Sequence, residues 1–332
     1  MQRRPVRRLA IVGLGSIGRR HLRLLTTLRP EIEIILVRSG RGSCWPEEAL
    51  AAGSVSTIEK ALNLALDGAI ISSPAPFHVK QAVELLGAGV PLLIEKPLSH
   101  NTENTNHLKT LADNASLPVL VGYVLRHSRA LQCFREIFFR NTTGLVAGVN
   151  VTCGSYLPDW RPAQDYRMTA SARAELGGGV LLELSHELDY AHWLFGPFKS
   201  VRATLKNSGT LGIEVEDTAD LELVSKKGTP VTIHLDFLSL QPIRQCIVYG
   251  YENTVSWDGI RREVSLVRKS REKQTFSFNC GSDDMFGAQI KHFLDCIEFG
   301  VLPKVNLNDG ISTLRIIEAA KRSQLERRVI DL

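Results

Sequence analysis

The sequence predicts an α/β protein in two parts, on three observations. A glycine-rich turn follows the first apolar strand and opens a helix. Strand and helix signals then alternate as far as Val124. From Leu145 to Val267 the alternation gives way to strand-like runs interrupted by one helix. Alternation implies a parallel sheet with helices on its faces, and a strand series implies an antiparallel or mixed sheet covered on one side. The expected class is therefore α/β: an N-terminal Rossmann dinucleotide-binding domain over residues 1–124, plus a C-terminal α/β domain over 125–332 with a large, mostly antiparallel open sheet.

Leu9 to Val12 reads as a strand, and Gly13-Leu14-Gly15-Ser16-Ile17-Gly18 follows it directly. Ser16 to Leu28 has a helical pattern with Ile17, Leu22, Leu25 and Leu28 apolar; Ile32 to Val37 is a second strand. In that order the glycines permit a tight turn, close approach to a pyrophosphate and close helix–strand packing, and the helix N-terminus supplies positive charge. Gly13, Gly15, Ser16, Ile17 and Gly18 are the candidate cofactor cradle. NAD sites usually place an acid after the second strand. Here the residues are Arg38-Ser39-Gly40-Arg41. Arg38, Ser39 and Arg41 suit a 2′-phosphate, which tilts the choice between NAD and NADP slightly toward NADP. In the alternative Arg38 stacks on adenine or lies in solvent, and NAD is accepted.

Ala69 to Ser72 is the third strand, and Ser73-Pro74-Ala75-Pro76-Phe77-His78 forms a rigid loop near the expected cofactor. Ser73, Pro74 and His78 are candidates there. His78 either touches the nicotinamide ribose or caps the helix that continues through Gln81–Ala88. Leu92 to Glu95 is a short buried strand with Lys96 at its carboxyl end, the edge where open α/β sheets place ligands, and Pro97 stops the pairing at that point. Glu95 and Lys96 are assigned to the cofactor edge. Lys96 is either an aimed catalytic cation or a solvated loop lysine. A helix over Thr105–Ala112 and a strand over Val119–Tyr123 complete the series.

In the second half Ser128–Phe139 looks helical, followed by strands over Val146–Thr152, Val201–Leu205, Ala219–Val224, Val231–Leu238, Cys246–Tyr251 and Val264–Val267. The interrupting helix runs from Gly179 to Phe195, with Val180, Leu184, Leu188, Ala191 and Phe195 as its apolar stripe. Glu183 and His186 are three apart on the opposite face, so a carboxylate could orient an imidazole base; Asp189 is placed to do the same. The alternative is a charged, solvated helix face. Helices over Ala288–Phe299 and Gly310–Arg322 end the chain.

The net charge of +5 over 332 residues is small and owes part of its excess to Arg3, Arg4, Arg7 and Arg8, so no nucleic-acid partner is expected. Six dispersed cysteines form neither a disulfide framework nor a zinc site, and no metal is expected. No apolar run approaches the roughly 20 residues of a membrane helix, and no signal peptide is read, so the expected location is cytoplasmic without a membrane partner.

Taken together, G-L-G-S-I-G, E-K-P, and GGG…H-x-x-D followed by W-L-F-G resemble the Gfo/Idh/MocA family over essentially the whole chain. The resemblance implies that Lys96 and His186 are catalytic. The family's usual D-x-G-x-H would put an acid at position 182, where Leu182 stands, so the resemblance passes the orienting role to Glu183 less directly. The segment Gly154 to Arg167 looks like a nucleotide-sugar branch of the family. That likeness makes Tyr156, Trp160, Arg161, Tyr166 and Arg167 substrate candidates, together with Tyr123, Arg126 and Asp189. Arginines would suit a diphosphate and aromatic faces a base or sugar, although Trp160 and Tyr166 could equally pin a long loop. The implied activity is NAD(P)-dependent oxidation of a secondary hydroxyl of a nucleotide-linked N-acetylhexosamine, resembling UDP-N-acetylglucosamine 3-dehydrogenases of surface-polysaccharide or lipopolysaccharide biosynthesis. A free sugar or inositol is the alternative substrate, and a non-catalytic NAD(P)-sensing regulator the alternative role. A homodimer or homotetramer is expected.

Overall fold

The structure, a computed structural model, describes residues 5–40, 44–140 and 143–332. The chain divides into two compact units: Met1–Val124 with Gly281–Ile311, and Leu125–Cys280 with Ser312–Leu332.

In the first unit the elements run β1 (Arg8–Val12), α1 (Ser16–Leu28), β2 (Glu33–Val37), β3 (Gly53–Val55), α2 (Ile58–Leu62), β4 (Gly68–Ile71), α3 (His78–Gly87), β5 (Leu92–Ile94), α4 (Thr105–Ala115) and β6 (Val119–Val121). Their order in the sheet is β3-β2-β1-β4-β5-β6, and all pairs are parallel. The sequential order reverses at β1 and β4, which makes the carboxyl ends of those strands the ligand edge. Both faces of the sheet are covered, so β1, β4 and β5 are continuous buried apolar runs rather than alternating ones.

The second unit opens with α5 (Arg129–Phe139) and β7 (Val146–Gly154). After four short 3₁₀ turns come α6 (Val180–Glu183) and α7 (His186–Phe195), then β8 (Phe198–Lys206), β9 (Thr218–Ser225), β10 (Pro230–Asp236), β11 (Ile243–Gly250), β12 (Asn253–Asp258), β13 (Glu263–Arg268) and β14 (Lys273–Ser277). With β15 (Ile330–Asp331) they form a nine-stranded sheet, order β14-β13-β12-β11-β7-β10-β9-β8-β15. Among the described residues of this sheet, only β7 and β10 pair in parallel. One face is apolar (Val149, Val151, Ile233, Leu235, Leu221, Val248, Trp257, all buried), while the other carries Asn150, Thr232, Asp220 and Glu222. This alternation is the period of two expected of a sheet buried on one side.

Two expectations are revised. The single helix over Gly179–Phe195 is two helices, interrupted at Leu184 and Ser185, where Glu187 N–H donates to Leu184 O in a tighter i to i−3 step. The stripe from Val180 to Phe195 is buried throughout, so its periodicity hid the break. Secondly, the sequence reading places residues 281–311 with the second half, but α8 (Ser282–Phe299) packs in the first unit. Its Ile290, Phe293 and Leu294 join Leu9, Ile11 and Leu22 in one core, and its Glu298 takes Arg29 at 2.9 Å. α9 (Leu307–Glu326) then leads to β15, which pairs with β8.

Candidate active site

The glycine turn is shaped by what each missing side chain would meet. A Cβ on Gly18 would lie 2.3 Å from Gly13 O and 2.7 Å from Ser72 Oγ; one on Gly13, whose φ is +89°, would lie 2.9 Å from the Ser73 backbone. These two glycines close β1, α1 and β4 onto one another. Gly15 faces open space within 4 Å. It caps α1 without a side-chain bond, and the first turn of α1 carries no acid. The first N–H groups of α1, near exposed Ser16 and half-buried Ile17, are thus left for a ligand, which is the cradle a dinucleotide pyrophosphate requires. The residues present fit that group.

Lys96 is half-buried one residue beyond Glu95, whose N–H donates to Ile71 O. Below it is a dense set of main-chain and side-chain contacts. Glu95 Oε1 lies 2.7 Å from Nε2 of fully buried His21, and Glu95 Oε2 accepts the Lys96 N–H at 3.2 Å. A Cβ on Gly122 would meet Glu95 Oε2 at 2.9 Å, so glycine there makes room for the carboxylate. His78 lies with Nδ1 2.9 Å from Pro97 O and Nε2 2.7 Å from Ser73 O. Burial lowers the His78 pKa, and a neutral ring donates to only one of the two carbonyls. Glu95 is buried with His21 as its partner. His78 is buried and bridges two loops, and its side chain does not cap α3. Ser73, against the Gly13 turn, and exposed Pro74 stay at the ligand edge.

Arg38 Nη1 pairs with Glu48 Oε2 at 2.5 Å, so its charge is already met within the protein. Ser39 is exposed and Arg41 lies outside the described residues.

In the second unit two of the three glycines before α6 are explained locally. A Cβ on Gly178 would lie 2.5 Å from Ala170 O, and one on Gly179 (φ +108°) 2.5 Å from Glu216 Oε1. Glu216 takes over as the cap: its carbonyl accepts the Val180 N–H at 3.0 Å and its carboxylate the Leu181 N–H at 3.3 Å. Glu183 closes α6 and His186 opens α7, both half-buried, so the two stand on either side of the break rather than on one continuous helix. The helix face is not solvated either. Glu187 is fully buried and pairs with Arg244 at 2.8 Å. Burial opposes the Arg244 charge, but Glu187, Cys153 and Tyr190 together outweigh it and raise its pKa; burial, then Glu187, pushes the neighbouring Cys153 thiol up to about 12. Asp189 takes both Arg126 nitrogens, Nε at 2.9 Å and Nη2 at 2.7 Å, with both residues buried.

Arg126, Asp189 and Tyr123 are all buried. Trp160 donates Nε1–H to Ser155 Oγ at 2.8 Å and meets Phe237 edge-on; Tyr166 donates to Leu211 O at 2.9 Å. Both pin the loop. Exposed Arg167 grips Asp165, while Tyr156 and Arg161 are half-buried at the loop surface. The sequence reading missed His21, Glu48, Glu187 and Glu216; only Glu187, beside the candidate histidine, lay in a stretch it singled out.

Two family models match the chain: an oxidoreductase family's NAD-binding Rossmann fold over residues 7–123 and its C-terminal alpha/beta domain over 149–332. An uncharacterised oxidoreductase of Synechocystis sp. is 29% identical over 55% of this chain, which spans about half (52%) of that relative. Inositol 2-dehydrogenase of Rhizobium meliloti is 22% identical over 98% of this chain and 99% of its own. Among solved structures, the WlbA dehydrogenase from Bordetella pertussis, in complex with NADH and UDP-GlcNAcA, shares the fold at TM-score 0.84, with 21% identity over 99% of this chain and 98% of that one. With both models matched in order, the glycine turn and the nine-stranded sheet identify the chain as belonging to the Gfo/Idh/MocA oxidoreductase family.

Proposed function

We propose that this protein is an NAD(P)-dependent dehydrogenase that oxidises a secondary hydroxyl of a nucleotide-linked N-acetylhexosamine, in the manner of a UDP-N-acetylglucosamine 3-dehydrogenase serving surface-polysaccharide synthesis. The observation that carries it is the buried set His21–Glu95 and Ser73–His78–Pro97, which anchors the carboxyl end of β5, where Lys96 follows, at the same sheet edge as the uncapped glycine turn. A lysine in a solvated loop would need no such support.

When bound, the dinucleotide accepts the hydride from the carbon being oxidised. His186 takes the hydroxyl proton, with Glu183 as its orienting acid. Lys96 places its ammonium against the oxygen as negative charge develops there, an effect of roughly 3 kcal/mol on the barrier. Tyr156 and Arg161 line the substrate side. The UDP-GlcNAcA held by the WlbA fold neighbour supports the nucleotide-sugar class. A second reading, a free sugar or inositol, is favoured by the internal use of Trp160 and Tyr166, which leaves fewer groups for a nucleotide. The assembly is read as a homodimer or homotetramer.

The test is a thermal-shift panel of UDP-, CMP- and GDP-sugars, free sugars and inositol with NAD and NADP, followed by turnover of Lys96→Ala and His186→Asn. UDP-sugars should stabilise the protein most, and each variant should lose about a hundredfold or more in kcat. Normal turnover in variants that still bind dinucleotide would overturn the reading in favour of a sensor without chemistry.

A further inference from the structure

We propose that Glu48 selects the dinucleotide, making the protein prefer NAD over NADP by neutralising Arg38. This rests on the reading that the glycine turn holds a dinucleotide.

Arg38 follows the last residue of β2, and Val37 O accepts the Gly13 N–H at 3.0 Å, so Arg38 starts at the shoulder of the glycine turn. In this fold the adenosine ribose rests at that strand end, where an acid bonds the 2′-hydroxyl or an arginine takes a 2′-phosphate. Residues 38–40 alone favour the phosphate, having an arginine and no acid. The acid arrives from ten residues further on. A 3₁₀ turn over Pro46–Leu50 follows Trp45, and Glu48 is fixed at both carboxylate oxygens: Oε1 accepts the Trp45 N–H at 2.7 Å and Oε2 pairs with Arg38.

Both charges are withdrawn from water, with side-chain exposures of 15% for Arg38 and 28% for Glu48. A pair so placed is stronger than an exposed one. The next residue serves the other side. Glu47 meets Arg19 at 3.3 Å and Arg23 at 2.9 Å, while the Arg19 guanidinium stacks 3.8 Å from the Trp45 ring centroid. The acidic turn thus meets the cations of α1 and of the β2 end separately. A 2′-phosphate arriving at Arg38 would have to displace a carboxylate held at its far oxygen, or bind beside it against like-charge repulsion. A ribose 2′-hydroxyl meets no such penalty.

The test measures dissociation constants of NAD+ and NADP+ by calorimetry on the full chain, with no substrate present. The wild type should bind NAD+ about tenfold or more tighter than NADP+. Glu48→Gln keeps an acceptor for the Trp45 N–H but loses the charge, and should narrow that ratio about tenfold through tighter NADP+ binding. Adding Arg38→Ala should erase the gain, and Glu47→Gln should leave the ratio within about twofold, since its arginines belong to α1. A wild type that prefers NADP+, or a ratio unmoved by Glu48→Gln while both dinucleotides bind, overturns the inference alone. Binding of neither dinucleotide overturns the dehydrogenase reading beneath it.

Discussion

At the end of β5, apart from the buried Glu95–His21 contact, Lys96 is supported by groups that main-chain geometry largely dictates: carbonyls of Ser73 and Pro97 on His78, a glycine at 122 that makes room for Glu95, and strand pairing through Ile71. In the second unit, the helix that begins at His186 is held by charge. Fully buried Glu187 pairs with half-buried Arg244, and Asp189 with Arg126 in a pair buried on both sides, either side of Leu188. The difference matters because buried charges tolerate no half measures. Removing one partner strands the other in a medium that penalises it, whereas a backbone-framed site loses a bond at a time.

The comparison is broken most directly at Asp189. Asp189→Ala should destabilise the protein by about 3–5 kcal/mol in urea unfolding, and Arg126→Met with Asp189→Leu should recover most of it. A small effect of the single change would mean that the pair is not what holds α7. Next is Gly179→Ala, which meets both a positive φ and the Glu216 carboxylate and should cost about 1–3 kcal/mol by the same measurement. Gly15→Ala sharpens the contrast: open space predicts a stability within about 0.5 kcal/mol of wild type, yet dinucleotide affinity should fall about tenfold as the added methyl enters the cradle.

The smallest effect concerns His234 on the open face of the second sheet, which hydrogen bonds to Asp236 and Asp220 raise to about 9. A raised pKa means that its contribution is full below about pH 6.5, the unfolded value, and is lost as pH rises through about 9. His234→Gln should therefore lower the melting temperature at pH 6 and cease to matter by pH 10. The group is 43% exposed, which keeps the difference under about 1 kcal/mol.

Much of the first unit was legible because its determinants are local. The glycine turn, the buried strand runs and the proline after Lys96 each state their geometry within a few residues. Charge partners were not legible. Arg38 looks available until Glu48 is placed beside it, and Arg126 and Asp189, 63 residues apart, give no sign of each other. Tyr123 and Glu95 stand at strand ends, where the sequence offers them to ligands, and both are buried. In the second unit β12 was missed because Asn-Thr-Val-Ser-Trp-Asp offers only Val255 and Trp257 to the core, and β14 because an edge strand can be polar nearly throughout. Loop residues Trp160 and Tyr166 left pinning and ligand binding equally open, and their bonds to Ser155 and Leu211 favour pinning.

α8 lies far along the chain from the sheet it covers. During synthesis the first 124 residues emerge with the surface around Leu9, Ile11 and Leu22 lacking Ile290 and Phe293. At about 5–20 residues per second, the nascent unit waits on the order of ten seconds or more for its missing wall. A fragment ending at Val124 should accordingly aggregate or bind chaperones, and should regain protection from proteolysis when a 281–311 peptide is supplied.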